Sequence, residues 1–390
     1  MEFWNVLTYI DTTLFVLMSM TVGYMAFFAI AAQFNRHTSV PRAKRQNRFI
    51  VIIPAYKAER NLERTVASIL GQTYPQRLFD ITVVADDCPE MTCFRLAQQP
   101  ITLLTTNFGR GGRIKSLQLA INNLPQFKIY DVVLLLEAGN AVEPEFLQQL
   151  NDAYESAGTK CIQCHRLSQN RDTATARLSA IFEEINNSLF RRGHITIGLS
   201  AAIAASGMAF DFVWFRTNIG RATANWQDKD FEVQLLRQRI FIDYFDSILV
   251  YDEKTRQADE FNRQRGSWMR SQLSTILRNF RYLPGALLNR HYDLADKILQ
   301  WLLIPRVVLM AVVILMGCLL PFVYMSIAIK WWVLFAVVLL VFALATPNYL
   351  VDDKWDRTFL MIPFIFISLL IGKTPLRKHF NKWVDINQRI

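Results

Sequence analysis

Two short apolar runs with carboxylates at the end of the second constrain this chain most. Residues Phe49 to Pro75 read FIVIIPAYKAERNLERTVASILGQTYP, and Val83 to Cys88 read VVADDC. Phe49 to Ile53 is uncharged and rich in β-branched residues, which predicts a buried strand running into a Pro-Ala-Tyr loop. Leu62, Val66, Ile69 and Leu70 then recur at helical spacing. Ile81 to Ala85 predicts a second buried strand, ending at Asp86 and Asp87. Strand, loop, helix and strand, with acids at the carboxyl end, is how an open α/β sheet builds a crevice for a nucleotide.

The same logic extends along the soluble part. Further apolar strands are expected at Ile101–Leu104, Val132–Leu136 and Lys160–Cys164. Helix patterns fall between them at Ile114–Asn123 and Pro144–Ala157. Alternation of this kind predicts an α/β fold with a mostly parallel sheet. Cys161 and Cys164 form a CxxC without a second close-spaced pair, so two small half-buried residues are expected rather than a metal site.

At 390 residues the chain holds more than one catalytic domain, and the remainder reads as membrane. Thr12 to Asn35, Val307 to Ile329 and Trp331 to Val351 carry no charge. Each is long enough to cross a bilayer, which takes about 20 residues. A fourth stretch, Thr358 to Gly372, is short for a crossing. Arg36, Arg42, Lys44, Arg45 and Arg48 follow the first span, which places the next domain in the cytoplasm and the N-terminus outside. Glu2 and Asp11 ahead of it, without Lys or Arg, argue against a cleaved signal peptide. The basic tail from Lys373 conflicts with that topology, since three further crossings would put it outside. Residues Asn262 to Leu299 set Trp268, Leu273, Leu277 and Phe280 against Arg265, Arg270, Arg278 and Arg281. Such helices lie at a membrane surface; a helix packed on the soluble domain is the alternative. The net charge of +10 fits cationic flanks on anionic headgroups. No interleaved basic and aromatic motif points to nucleic acid.

Several later motifs have chemistry of their own. GRGGRIKSL, Gly109 to Leu117, offers backbone amides with Arg110, Arg113 and Lys115 to a phosphate, or is a flexible basic turn. Glu137 ends a strand in VVLLLEAGNAVEPEFL. Ser206-Gly207-Met208 lets a ligand approach the backbone, or is a close-packed strand turn. Asp228 opens a helix in WQDKDFEVQLL, as a base or only as a cap. NRQRGSWMRSQ, Asn262 to Gln272, closes the series.

From about Arg48 to Gln272, this order of motifs resembles the inverting family-2 glycosyltransferases of GT-A type, in particular the cellulose, hyaluronan and chitin-oligosaccharide synthase group. The resemblance implies a GT-A nucleotide-sugar-binding domain with transmembrane and interfacial helices beside it. It implies that Pro54, Ala55, Tyr56, Asp86, Asp87, Arg113 and Lys115 hold the nucleotide. Asp228 takes the position of the catalytic base, and Glu137 and Asn140 fall in the metal and diphosphate region. Ser206, Gly207, Gln264, Arg265 and Trp268 fall in the acceptor region, with Trp268 as an interfacial anchor the alternative. A divalent cation, Mg²⁺ or Mn²⁺, is the implied cofactor.

Three positions depart from the family. Gly139 stands where the second acid of Asp-x-Asp is expected, Gln227 replaces a glutamate, and Ser267 replaces the arginine of Gln-x-x-Arg-Trp. Each weakens anion, metal or acid handling. The expectation is a multi-pass inner-membrane enzyme with a cytoplasmic catalytic domain. It transfers a sugar, from UDP by preference, with inversion to a polysaccharide or lipid-linked acceptor. The alternative is a catalytically weakened subunit that binds sugar or an assembly partner. The domains expected are an anchor over 1–40, the transferase over 41–260, interfacial helices over 261–300, C-terminal spans over 301–372 and the basic tail over 373–390. Membrane lipids are expected partners, nucleic acid is not, and a second copy or an assembly partner is left open.

Overall fold

The computed structural model describes residues 2–34, 40–109, 111–223, 226, 228–323 and 325–351, with side chains except at 2–7, 60 and 268. The fourth apolar stretch, the basic tail, Arg110 and Gln227 lie outside the described residues, as does the side chain of Trp268. Compactness divides the chain into two units. One, an α/β unit, comprises 36–170 and 199–254; the other, helical, comprises 1–35, 171–198 and 255–390. Residues 171–198, counted in the sequence within 41–260, thus pack with the helices.

The α/β unit is built on one eight-stranded sheet. Its strands are β1 (Phe49–Tyr56), β2 (Phe79–Asp86), β3 (Thr102–Thr106), β4 (Val132–Leu135), β5 (Asn140–Val142), β6 (Cys161–Ser168), β7 (Met208–Asp211) and β8 (Ile242–Asp252). The order is β3-β2-β1-β4-β7-β6-β8-β5. Four of the seven pairings are parallel and three, all involving β7 or β5, are antiparallel. The expected mostly parallel sheet is therefore present.

The central strand β1 is flanked by β2 and β4, so helices can cover both faces and its first five residues are buried. That is why it reads as a continuous apolar run rather than an alternation. Leu62, Val66 and Ile69 of the helix Arg60–Leu70 are buried in the core cluster with Val51, Ile53 and Val83. Each such side chain stabilises by roughly 1.5–3 kcal/mol. Cys161 and Cys164 are fully buried on β6, not half-buried, because β6 lies between β7 and β8. Burial pushes both thiols up, so they stay protonated and inert.

Among the described residues, the helical unit contains two helices apolar and long enough to cross a membrane, Thr8–Gln33 and Met325–Ala345. A third apolar element is a pair, Tyr292–Leu302 and Arg306–Phe322, bent by 50°. The boundary expected near Lys330 is not there. The helix Met325–Ala345 runs through Lys330, and the preceding break falls around Leu320–Phe322, where Pro321 has no amide to donate. The first helix likewise runs through Asp11. The two charges meet: Lys330 pairs with Asp11, and Trp331 Nε1 donates to Asp11 Oδ1 at 2.8 Å. Mutual neutralisation lets both charges sit in otherwise apolar helices.

The amphipathic region forms helices Ala258–Asn279, Leu283–Leu288 and Tyr292–Leu302. Pro284 opens the second helix rather than ending the first, where its missing amide costs nothing. In the first of these helices Gln272, Thr275 and Asn279 are buried, whereas Leu273, Leu277 and Phe280 at its end are exposed. Gln272 Nε2 donates to the Trp301 carbonyl at 2.7 Å. Arg270 and Arg278 are exposed beside these apolar side chains, so the outward surface of this stretch is mixed apolar and basic.

Candidate active site

The carboxyl ends of the parallel strands converge as their topology requires. Pro54, Ala55 and Tyr56 end β1, Asp86 ends β2, and Glu137 follows β4. These residues, with Arg113 and the glycines 109, 111 and 112, line a cavity of about 280 Å³. Asp86 is buried and accepts from the Phe108 amide at 2.7 Å and the Gly109 amide at 3.2 Å. Its role here is to tie the glycine-rich loop to the sheet end.

Arg113 organises the floor of the cavity. Its Nε donates to Asp228 Oδ1 at 3.1 Å, its Nη1 to Glu137 Oε1 at 3.1 Å, and its Nη2 to the Ala205 carbonyl. Burial pulls the guanidinium down, but Asp228 and Glu137 outweigh it and the net shift is upward. Arg113 stays charged. Burial pushes the Glu137 carboxyl up against the opposing charge of Arg113. Asp228 is the first residue of the helix Asp228–Arg237.

The other expected residues occupy different surroundings. Lys115 is exposed over the Phe108 ring, with its Nζ 5.7 Å from the centroid. Asp87 turns outward at φ +55° and pairs with Lys57 at 3.1 Å. Asn140 is buried beneath the cavity, where its Oδ1 accepts from the Glu137 amide at 2.8 Å and its Nδ2 donates to Asp252 at 3.1 Å. Ser206 is fully buried, and Gly207 takes φ +68° against Val250. A Cβ at Gly207 would lie 3.1 Å from Val250 Cγ2. Gln264 and Arg265 lie on the helix Ala258–Asn279 of the other unit, as does the backbone of Trp268.

Two groups of functional interest were not legible in the sequence. Arg166 and Lys254 both pair with Asp252, at 2.7 and 2.8 Å, and Asn140 links that cluster to Glu137. Lys229, beside Asp228, is pushed down to about 8 by burial, with Glu232 opposing. Both arise from long-range pairings of β5, β6 and β8 or from burial, neither of which leaves a local signal.

Among the described residues no three His, Cys, Asp or Glu side chains could hold a metal ion. Gly139 adopts φ +102°, so an aspartate could not simply be restored there without backbone strain. Glu137 already holds a guanidinium. These residues do not fit a resident divalent cation.

The family model for glycosyltransferase-like family 2 matches residues 46–271, more than half the chain. The chain belongs to that family. It is a glycosyltransferase, and the sheet order and crevice are those of its GT-A domain. Among solved structures, the mannosyltransferase PcManGT from Pyrobaculum calidifontis, in complex with GDP-Man and Mn²⁺, is 11% identical. The match covers 97% of this chain and 95% of that one with a TM-score of 0.56, a likeness of fold. S. aureus TarS 1-349 is 13% identical over 88% of this chain and 89% of that one, with a TM-score of 0.43. No curated protein sequence matches the chain.

Proposed function

We propose that this family-2 glycosyltransferase transfers a sugar from a UDP donor, with inversion, to a growing polysaccharide or lipid-linked acceptor. The observation that carries the reading is the shared position of Arg113 between Glu137 and Asp228 on the floor of the crevice. The nucleotide lies along Pro54, Ala55, Tyr56 and Asp86, and its diphosphate reaches the glycine-rich loop and Arg113. Asp228 takes the proton of the acceptor hydroxyl. That oxygen attacks the anomeric carbon from the face opposite the diphosphate, the bond from that carbon to the phosphate oxygen breaks, and the configuration inverts.

The arrangement links donor binding to the base. While Arg113 Nε donates to Asp228 Oδ1, that oxygen is engaged and not free for an acceptor hydroxyl. A diphosphate drawn to Arg113 competes for the same guanidinium and frees Asp228 when there is a donor to react. Glu137 keeps Arg113 in place meanwhile. A divalent cation, Mg²⁺ or Mn²⁺, would arrive with the donor diphosphate rather than reside on Glu137.

The transferase domain, 41–260, is proposed to stand on the cytoplasmic face of an inner membrane crossed more than once, between the N-terminal anchor and the interfacial and C-terminal helices. The outward apolar row Leu273, Leu277 and Phe280 supports helices lying on lipid. The Gln264 and Trp268 motif is the reason to place the enzyme with the polysaccharide synthases. Purified full-length protein in detergent should release UDP from one member of a panel of UDP-sugars. Failure to bind any nucleotide would leave a binding subunit as the better reading. A cysteine introduced at Glu90 should resist an impermeant thiol reagent in intact cells, and labelling there would reverse the orientation.

A further inference from the structure

The helical unit contains two arginines that share one aromatic ring and, among the described residues, lack partners for most of their donors. Arg265, on the helix Ala258–Asn279, places its guanidinium carbon 4.6 Å from the centroid of the buried Phe182 ring and 5.1 Å from that of Phe261. Arg306, the first residue of the helix Arg306–Leu319, lies 5.3 Å from the same Phe182 centroid and 6.0 Å from that of Phe190. A ring face attracts a cation but satisfies none of its N–H groups. Among the described residues Arg265 has ring contacts and no hydrogen-bond acceptor. Arg306 Nη2 donates to Asn186 Oδ1, while its Nη1 is buried without an acceptor.

Glu183 is the carboxylate that acts on Arg265, and it already accepts from Arg191 Nη1 at 3.0 Å. A π turn, Ser188–Arg192, sets Arg191 in that position and lets it reach Asn187 as well. Among the described residues, the carboxylate that acts on Arg265 is thus already shared with Arg191. Burial pulls Arg265 down to about 10, with only Glu183 opposing. Holding like charges together in a dry setting costs free energy unless an anion is bound. Arg306 also sits in the first turn of a 14-residue helix, whose positive end adds to the field. Both side chains remain partly accessible, so a ligand can reach them.

We propose that Arg265 and Arg306 form an oxyanion site that takes a phosphate group. Planar guanidiniums held by stacking are pre-set to donate in pairs to phosphate oxygens. The group can belong to a phospholipid-type headgroup or to a soluble phosphate, and the test separates the two. The site is independent of the assignment of Asp228.

The experiment uses full-length protein in a neutral detergent and calorimetric titration with two probes, dodecyl phosphate and inorganic phosphate. R265Q/R306Q should lose binding of the effective probe by about tenfold or more. D228N should keep it, which separates this site from the chemistry proposed above. Tighter binding of dodecyl phosphate assigns the site to a lipid phosphate, and equal binding assigns it to a soluble one. Should R265Q/R306Q fail to fold, R265K/R306K replaces it, keeping the charge but losing paired donation, and should also bind more weakly. Equal affinity in wild type and variant, or no binding of either probe by wild type, overturns the proposal.

Discussion

Arg113 of the α/β unit and the pair Arg265 and Arg306 of the helical unit are held in opposite ways. In the α/β unit Arg113 is matched by Asp228, Glu137 and the Ala205 carbonyl, so the cluster is complete without a ligand. In the helical unit Arg265 and Arg306 share a ring and one distant glutamate that is already engaged. A satisfied cation must be competed away before it can act on a substrate, which gives control over timing. An unsatisfied one gains most from the first anion to arrive, which gives affinity. Within a single chain, the number of acceptors around a guanidinium separates these two behaviours.

The largest effect should come from removing the proposed base. D228N keeps the shape and one acceptor for Arg113 but cannot take a proton, so sugar transfer should fall by about 10² or more. Nucleotide affinity should change little, read by titration of UDP. Wild-type turnover in D228N would mean that the matched cluster is structural. R113M tests the matching itself. It strands Asp228 and Glu137 without their cation, which should cost about 1–3 kcal/mol in denaturant unfolding, and UDP binding should weaken with it. A variant as stable as wild type would show that the pairs contribute nothing net.

Lys229 offers a sharper probe of burial beside the site. Its folded value lies near 8, below the ordinary 10.5, so the unfolded chain binds more protons between those values. Stability from this group therefore rises as pH increases from about 8 to 10.5, and the penalty is complete below that window. In K229M that rise should vanish, a difference in slope of at most about 1.4 kcal/mol per pH unit and less for a half-buried amine. Thermal unfolding of both proteins at several alkaline pH values would measure it, and parallel curves would place Lys229 in water. The smallest effect belongs to a matched pair in the helical unit. D11N keeps an acceptor for Trp331 but loses the charge opposite Lys330, and should lower stability by about 0.5–1.5 kcal/mol in detergent. A larger loss than in R113M would invert the comparison between the units.

The strands β1, β2 and β4 were legible because a strand buried on both faces is a continuous apolar run. Asp86 and Glu137 could be named because they stand at the ends of such strands, and Arg113 because it sits in a glycine-rich basic stretch that resembles the family's. β8 was not seen, since Asp243, Asp246 and Asp252 interrupt its apolar pattern and its register shifts beside Cys164. β5 and β7, at three and four residues, are too short to carry a period. Lys115 was grouped with Arg113, yet two residues along a helix turn a side chain to the other face, and it ends in solvent. Drawing spans by avoiding charge misplaced the ends of the long apolar helices, because Asp11 and Lys330 neutralise each other across 319 positions.

The sequence by itself determined the family, the crevice at the strand ends and which stretches are apolar, because each is written in residues close together in the chain. Only the tertiary structure decided which charges are matched. Arg113 meets Glu137 and Asp228 from different parts of the chain, Asp252 gathers Arg166 and Lys254, and Phe182 collects two arginines from helices far along the chain. The energy of a charge depends on what surrounds it within a few ångströms, and that shell is assembled by folding rather than by order in the chain.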